Sequence, residues 1–172
     1  MERKNIINNK KTGWLNLTEV EKKNVFEFSE GYMDFLNKSK TEREFAKNAK
    51  ELLDNNGFIN IEEKSTLNIG DKVYYINRNK CVYIAVIGKE VLSNGLNIVG
   101  SHIDSPRLDL KPHPLYEDDN LAYLDTHYYG GVKKYQWVTI PLAIHVVVVK
   151  KDGSKINVNI GENSSDPVVG IT

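Results

Sequence analysis

The sequence predicts an α/β protein, in which the first part of an α/β sandwich is followed by a mainly β unit. Two capped helical segments come first, apolar strand-like runs follow, and a histidine–aspartate pair stands directly after one of those runs. Open α/β sheets place their ligand sites beyond the carboxyl ends of strands. The order of these features therefore predicts a sandwich with a site at the end of a strand.

Two helices are predicted in the first third of the chain, each from a capping box. Thr18 stands three residues before Glu21, and Thr41 stands three residues before Glu44, which is the spacing of a reciprocal N-cap. The first helix is expected over about residues 18–36. Apolar residues recur behind both caps at helical spacing, and we interpret both stripes as core faces.

Strands are predicted from residue 58 onward. The apolar runs 73–76 and 81–87 are joined by the polar segment 77–80, a pattern typical of a β-hairpin. The Asn-Gly pair at 94–95 is a strong turn signal. It precedes the apolar run 96–99, which we expect to be a further strand.

A second unit, mainly β, is predicted after the proline-rich segment 111–114. The divisions expected are 1–113 for the α/β part and 114–172 for the β part. No helical pattern interrupts the second unit, and its extended-looking segments are 121–129, 138–150 and 155–160. The last residues form an apolar run without a terminal helix, cap or polar tail, a pattern typical of an interruption, and the sequence leaves open whether the natural chain continues beyond Thr172.

Composition excludes several classes of function. Basic and acidic residues balance at 23 each, so neither a nucleic-acid-binding nor a membrane-binding surface is expected. Cys81 is the single cysteine, so no internal disulfide can form, and we interpret it as a small buried hydrophobe. Residues 1–5 lack the apolar core of a signal peptide, and the apolar run around 146–149 is too short to span a bilayer. A cytoplasmic protein is expected.

The segment GSHIDSPRLDLKP (residues 100–112) carries most of the chemistry. His102 and Asp104 are two residues apart, so in an extended chain both side chains project from the same side. A neutral imidazole binds zinc, and a nearby carboxylate either fixes its tautomer or binds the metal itself. Zinc sites need three or four protein ligands, so a structural His–Asp hydrogen bond remains the alternative.

The other three histidines give weaker evidence of a functional role. His113, between two prolines, is interpreted as an exposed loop residue, and His145 as a strand residue with a hydrogen-bonded ring. His127 is followed by two tyrosines and two glycines, and glycines permit close approach of a ligand or another backbone. A functional role for His127 is therefore one interpretation, beside an ordinary strand position.

Three segments together resemble the aspartyl aminopeptidase family of co-catalytic zinc exopeptidases, particularly its bacterial members. They are GSHIDSPRLDLKP, THYYGGVKKYQW (residues 126–137) and GENSSDPVVGIT (residues 161–172). The resemblance implies the first part of a zinc-peptidase α/β sandwich, followed by the beginning of a β-rich dimerisation domain. It extends over nearly all of the chain, which corresponds to roughly the first third or more of such an enzyme.

The resemblance implies a set of roles. His102 would bind one of two zinc ions, Asp104 would support His102 and tune the catalytic site, and His127 would reach substrate or a neighbouring subunit. Zinc-activated water would remove N-terminal, chiefly acidic, residues from peptides in a large homo-oligomer. The bridging aspartate, the general-base glutamate and the second histidine would lie beyond Thr172, so little or no activity is expected from this chain alone.

Two rival functions stay open. The chain could be a non-catalytic oligomerisation module in which the His102–Asp104 pair has lost its metal. It could instead belong to a related metal-dependent amidohydrolase acting on small acyl-amino acids. Metal occupancy separates the first rival from an aminopeptidase, and product analysis separates the second.

Overall fold

The computed structural model describes residues 12–171. The first eleven residues, on which the argument against a signal peptide rests, and Thr172 lie outside that range. A short 3₁₀ turn (Gly13–Asn16) leads into helix α1 (Glu19–Lys38). The predicted capping box forms, because Thr18 Oγ1 accepts from the Glu21 amide at 3.3 Å and the Glu21 carboxylate accepts from the Thr18 amide at 2.8 Å.

The apolar stripe of α1 is not a core face, and that prediction is wrong. No residue of α1 is buried, and Phe28 is 79% exposed. The inward contact of the helix is an edge-to-face pair of Phe35 with Phe45, whose ring centroids are 5.2 Å apart. Periodicity shows which face of a helix is apolar, whereas burial requires another element to cover that face.

Helix α2 (Glu42–Asn55) follows the prediction closely. Its capping box joins Thr41 and Glu44, and its buried residues are Ala46, Ala49 and Leu53. The helix ends at Asn55, and two residues later Gly57 has a φ of +75°, in the left-handed region that favours glycine. The small and branched residues of this face let the helix lie directly on the first sheet.

The first sheet contains β1 (Ile59–Asn60), β2 (Lys72–Asn77) and β3 (Cys81–Val86). Strand β1 pairs parallel with β2, and β2 pairs antiparallel with β3, so the predicted hairpin is confirmed. Its three-residue loop (78–80) has positive φ at Arg78 and Asn79, the two central residues of a turn closed by a hydrogen bond from the Lys80 amide to the Asn77 carbonyl at 3.0 Å. Cys81 is half-buried rather than buried, because β3 has one uncovered face. Val73 and Tyr74 of β2 complete the small core beneath α2.

The expected strand at 96–99 does not form. Among the described residues this segment has no hydrogen-bonded neighbouring strand, and Ile98 and Val99 are 81% and 99% exposed. A strand is stabilised by the ladder it joins, so an apolar run without a partner stays irregular. The preceding turn does form, with a 3₁₀ turn at Leu92–Asn94 and a φ of +115° at Gly95.

Two antiparallel hairpins form the other two sheets of the described chain. Strand β4 (Arg107–Asp118) pairs with β5 (Leu121–Tyr129), and β6 (Ile144–Val149) pairs with β7 (Lys155–Ile160). The proposed division between residues 113 and 114 falls inside β4, close to a register shift between Leu110 and Leu115. The assignment of 1–113 and 114–172 to separate domains stays a prediction.

The segment between the hairpins differs in two ways from its sequence prediction. A single helical turn, α3 (Lys134–Trp137), forms where no helix was expected. Regular pairing begins at Ile144 rather than at Val138, because Pro141 lacks the amide hydrogen that a continuous ladder needs. Isolated bridges from Val138 to Ile171 and from Leu142 to Val169 fasten the segment instead.

The chain exposes far more surface than its mass predicts. Its accessible area is 14951 Å², whereas a compact monomer of 19.6 kDa exposes about 8600 Å². The excess includes large apolar side chains on α1, on β3 and in the segment 96–99. Within residues 12–171, no helix combines the length and the apolar character needed to cross a bilayer.

Candidate metal site

The His102–Asp104 pair lies on the extended segment between the first sheet and β4. His102 Nδ1 is 2.9 Å from the backbone carbonyl oxygen of Asp104 and 3.3 Å from its carboxylate oxygen Oδ1. The predicted proximity of the two side chains is therefore confirmed, although the segment before them is not a strand.

This geometry decides which ring nitrogen is free. A carbonyl oxygen only accepts hydrogen bonds, so Nδ1 must carry the proton of the neutral ring. Nε2 then keeps its lone pair, and the His102 side chain is 82% exposed. An imidazole whose Nδ1–H is held by a carbonyl and whose Nε2 faces outward has the arrangement usual for a metal-binding histidine.

The ionisation of Asp104 is influenced by Tyr129, the last residue of β5. The pKa of Asp104 is lowered, chiefly by hydrogen bonding with the Tyr129 hydroxyl, then by its own backbone N–H and by His102. The same hydrogen bond raises the pKa of the Tyr129 phenol. Asp104 is therefore a carboxylate at neutral pH, able to accept from Tyr129 and to support His102.

Tyr129 is in turn held by Arg107, the first residue of β4. The two residues are paired across the β4–β5 ladder, and the Arg107 guanidinium carbon lies 4.1 Å from the centre of the Tyr129 ring. The guanidinium donates to Glu42 at 3.0 Å and to Asp109 at 2.7 Å. Arg107 thus connects the start of α2 to the base of the β4–β5 hairpin.

His127 lies on β5, opposite Asp109 in the ladder. Alternate residues of a strand share a face, so His127 and Tyr129 project from the same side of the hairpin. His127 is exposed, and its ring lies 5.5 Å from the Tyr128 ring, measured between centroids. Its proposed contact with substrate or a neighbouring subunit stays a prediction.

The donor chemistry at His102 fits zinc, but the ligand set is incomplete. Across residues 12–171, no group of three or more histidine, cysteine, aspartate or glutamate side chains is arranged to hold a metal ion. His102 supplies one imidazole, and Asp104 is the nearest carboxylate. A zinc site at this position needs further protein ligands.

His145 is the histidine that the structure places most firmly. Its Nδ1 lies 2.7 Å from Glu44 Oε1, and its Nε2 lies 2.7 Å from Glu162 Oε1. Lys40 Nζ also contacts Glu162 at 2.7 Å. These four residues form what we call the His145 cluster. The prediction of a strand residue with a hydrogen-bonded ring is confirmed, whereas His113 proves to be an exposed residue of β4 rather than of a loop.

Sequence reasoning missed the partners of both histidine systems. Glu44 was recognised only as the N3 residue of a capping box, and Tyr129 only as part of the motif that follows His127. A capping glutamate uses one carboxylate oxygen for the helix N-terminus, which leaves the other for a partner. That spare oxygen was the available signal for Glu44, although it does not identify the partner.

The family described as Aminopeptidase I zinc metalloprotease (M18) matches residues 35–172 of the chain. The chain belongs to the M18 aminopeptidase family. This confirms the resemblance seen in the sequence motifs, and it makes the chain part of a zinc metallo-aminopeptidase family. The α/β class predicted from the sequence is confirmed as well, since solved M18 structures match the fold.

Relatives in several bacteria share about half of the sequence. A probable M18 family aminopeptidase 1 of Borreliella afzelii is 50% identical over 159 residues, which are 92% of this chain and 35% of the relative. The corresponding protein of Clostridium acetobutylicum is 50% identical over 166 residues, which are 94% of this chain and 36% of the relative.

Solved M18 structures extend the comparison to the fold. Aminopeptidase I from Borrelia burgdorferi B31 matches with a TM-score of 0.88 and 48% identity, over 94% of this chain and 40% of that one. The M18 aminopeptidase of Thermotoga maritima matches with a TM-score of 0.80 and 44% identity, over 98% and 35%. This M18 chain therefore spans little more than a third of the length of the relatives it matches.

Proposed function

We propose that this M18 chain supplies the first zinc ligand of an aminopeptidase, and that His102 is that ligand. The observation that supports the proposal is the orientation of the His102 ring, with Nδ1 on the Asp104 carbonyl and Nε2 free and exposed. Zinc at this position would lower the pKa of a bound water and polarise the scissile carbonyl. In this chain, His102 would bind the ion and Asp104 would keep the ring oriented.

The remaining functional statements rest on the M18 family and on the sequence resemblance. The complete protein would carry two zinc ions and remove N-terminal residues, chiefly acidic ones, from peptides in the cytoplasm. It would work as a homo-oligomer without nucleic-acid or membrane partners, with His127 near substrate or a subunit contact. The large exposed apolar area supports an assembly in which more protein covers this chain.

The chain by itself should bind zinc weakly and hydrolyse peptides poorly or not at all. One imidazole and one nearby carboxylate leave a four-coordinate ion short of protein ligands. The general base and the bridging carboxylate of the implied mechanism have no counterpart at His102 within the described residues. Activity should therefore require residues that this chain does not contain.

A zinc titration of the histidine-labelled chain tests the ligand role directly. The nitrogen resonances of the His102 ring should move at lower zinc concentration than those of the other three histidines. His102→Ala should weaken zinc binding at least about ten-fold, whereas the exposed control His113→Ala should leave it unchanged. Equal responses from all four histidines would show that His102 is not the ligand.

Peptidase activity and the number of zinc ions bound per chain test separately whether the metal site is incomplete. Native mass spectra showing two zinc ions per chain, or robust peptide turnover that His102→Ala abolishes, would contradict it. A stable zinc-free oligomer would favour the oligomerisation module. Cleavage of N-acyl amino acids in preference to peptides would favour a related amidohydrolase.

A further inference from the structure

A cleft lies between helix α2, the turn of the β2–β3 hairpin and the β6–β7 hairpin. Two cavities, of about 300 Å³ and about 350 Å³, share lining residues of α2, β6 and β7 and therefore adjoin. Cavities of this size are typical of sites for small molecules. We call the two together the α2–β7 cleft, whose polar lining includes Arg43, Lys47, Lys80, Lys155, Asn157 and Asn159.

Strand register turns one face of the β6–β7 hairpin toward this cleft. His145 is paired with Asn159 in the ladder, and it contacts Glu44 of α2 at 2.7 Å, so this face of the hairpin is directed at the helix. Asn157 and Lys155 stand two and four residues before Asn159, and alternate residues of a strand share a face. The hairpin thus presents two amides and one ammonium group to α2.

Helix α2 and the β2–β3 turn supply the other cations of the α2–β7 cleft. Arg43 and Lys47 are four residues apart on α2, so their side chains lie on the same side of the helix. Lys80 belongs to the loop of the β2–β3 hairpin and also lines the cleft. Together with Lys155, these residues bring positive charges from three separate elements to one cleft.

The cations of the cleft lack counter-charges. Within residues 12–171, none of the four takes part in an ion pair. The two carboxylates that line the cleft are already engaged, because Glu42 accepts from Arg107 at 3.0 Å. Glu44 contacts His145 and caps its own helix. Arg43 is half-buried, and a partly desolvated charge without a partner is costly.

This combination of groups matches the chemistry of a phosphate chain. A guanidinium offers a planar fork of donors that fits phosphate oxygens, and ammonium groups add point charges. The side-chain amides of Asn157 and Asn159 supply further, neutral donors. Several positive charges around one cleft favour an anion with several negative charges over one with a single charge. Ala46 and Val147 add an apolar part to the lining.

We propose that the α2–β7 cleft binds a small oligophosphate, either free or as the phosphate chain of a nucleotide. Arg43 and Lys47 hold the phosphates from the helix, and Lys80 and Lys155 hold them from the two hairpins. The inference goes beyond the proposed zinc site and does not depend on it, because His102 lines neither cavity.

Isothermal titration calorimetry of the full chain without added metal tests the proposal. The two probes are inorganic tripolyphosphate and adenosine triphosphate. At least one should bind saturably at one site per chain, and its affinity should fall as the sodium chloride concentration is raised, because salt screens the contacts. The probe that binds more tightly identifies the source of the phosphate chain.

Variants that remove single charges locate the site. Arg43→Gln and Lys155→Gln should each weaken binding of the tighter probe about ten-fold, because each loses a charge-assisted hydrogen bond. The control Lys151→Gln removes a charge from the turn between β6 and β7, outside the cleft lining, and should change the affinity less than about two-fold. Arg43→Lys keeps the charge without the planar fork and should weaken binding less than Arg43→Gln does.

Three outcomes would overturn the proposal. The first is the absence of saturable binding of both phosphate probes. The second is an equal loss in Lys151→Gln and Lys155→Gln, which would mean that the overall charge of the hairpin attracts the anion. The third is binding of citrate or of a glutamate-rich peptide as tight as that of the phosphate probes, which would indicate a carboxylate site. Lys155 is exposed, so this comparison holds even if Arg43→Gln fails to fold.

Discussion

The His145 cluster should contribute a part of the stability that depends on charge and therefore on pH. His145 on β6 contacts Glu44 at the start of α2 and Glu162 just after β7, and its side chain is 13% exposed. The neutral imidazole donates from only one nitrogen, so two carboxylate contacts require a further proton on the ring or on a carboxyl. We therefore chose Glu162→Gln, which removes the charge but keeps an amide oxygen that accepts from Nε2.

The expected loss of unfolding free energy depends on how exposed the Glu162 side chain is and on how many ion pairs it makes. The Glu162 side chain is 35% exposed, so its ion pairs with Lys40 and His145 are partly screened by solvent. Pairs of this kind contribute about 0.2–1 kcal/mol each. Because glutamine preserves one hydrogen bond, we expect Glu162→Gln to lower the free energy of unfolding by about 1 kcal/mol at neutral pH.

The sign of the pH dependence follows from the direction of the Glu162 shift. Its pKa lies below the ordinary value of 4.5, chiefly because of the hydrogen bond from Lys40 and secondly that from His145. A lowered pKa in the folded state adds stability that is fully present above the unfolded pKa and is lost as the pH falls through the folded one. The difference between the two proteins should therefore be fully present above the ordinary pKa of 4.5 and shrink as the pH falls below that value.

Urea unfolding, followed by circular dichroism at several pH values, measures this difference. Glu27→Gln is the matched control, because its pair with Lys23 is 3.5 Å long and both side chains are well exposed. The control should change stability by less than about 0.5 kcal/mol at every pH. A loss in Glu162→Gln that stays undiminished as the pH is lowered until the protein unfolds, or no loss at neutral pH, would refute the reasoning.

Two further predictions concern the small core and the helix cap. Val73 is 2% exposed, so Val73→Ala should lower the free energy of unfolding by about 2 kcal/mol. The control Val86→Ala, at a site 61% exposed, should lower it by less than about 0.5 kcal/mol. Similar losses from both variants would contradict the assignment of Val73 to the core. Thr41→Ala should lower the free energy of unfolding by about 1 kcal/mol, because the Glu44 amide loses its acceptor. Thr41→Ser keeps the hydroxyl acceptor and should retain that stability. Equal stability of the Ala and Ser variants in calorimetry would argue against the cap.

Local interactions explain why several elements could be predicted from the sequence. Both capping boxes join residues three positions apart, and the turn at Arg78 and Asn79 depends on its own backbone angles. The His102–Asp104 contact likewise spans two residues. Each of these features is decided by neighbours in the chain, so a short stretch of sequence contains the whole cause.

Features that depend on distant partners could not be predicted in the same way. Among residues 12–171, the run 96–99 has the composition of a strand but no strand beside it, and the apolar stripe of α1 has no element that buries it. The composition of a segment indicates which secondary-structure element it would form if a neighbouring element paired with it or covered it. Whether the partner is present is a property of the assembled structure.

The sequence by itself determined the α/β class, the capped starts of the first two helices, the family and the His102–Asp104 motif. The tertiary structure alone decided that Arg107 lies against Tyr129 and reaches Glu42, and that His145 joins Glu44 to Glu162. Glu44 and His145 are 101 residues apart, and Glu42 and Arg107 are 65 apart. Contacts at such separations are set by strand register and by the packing of hairpins on helices, neither of which is encoded in any local pattern.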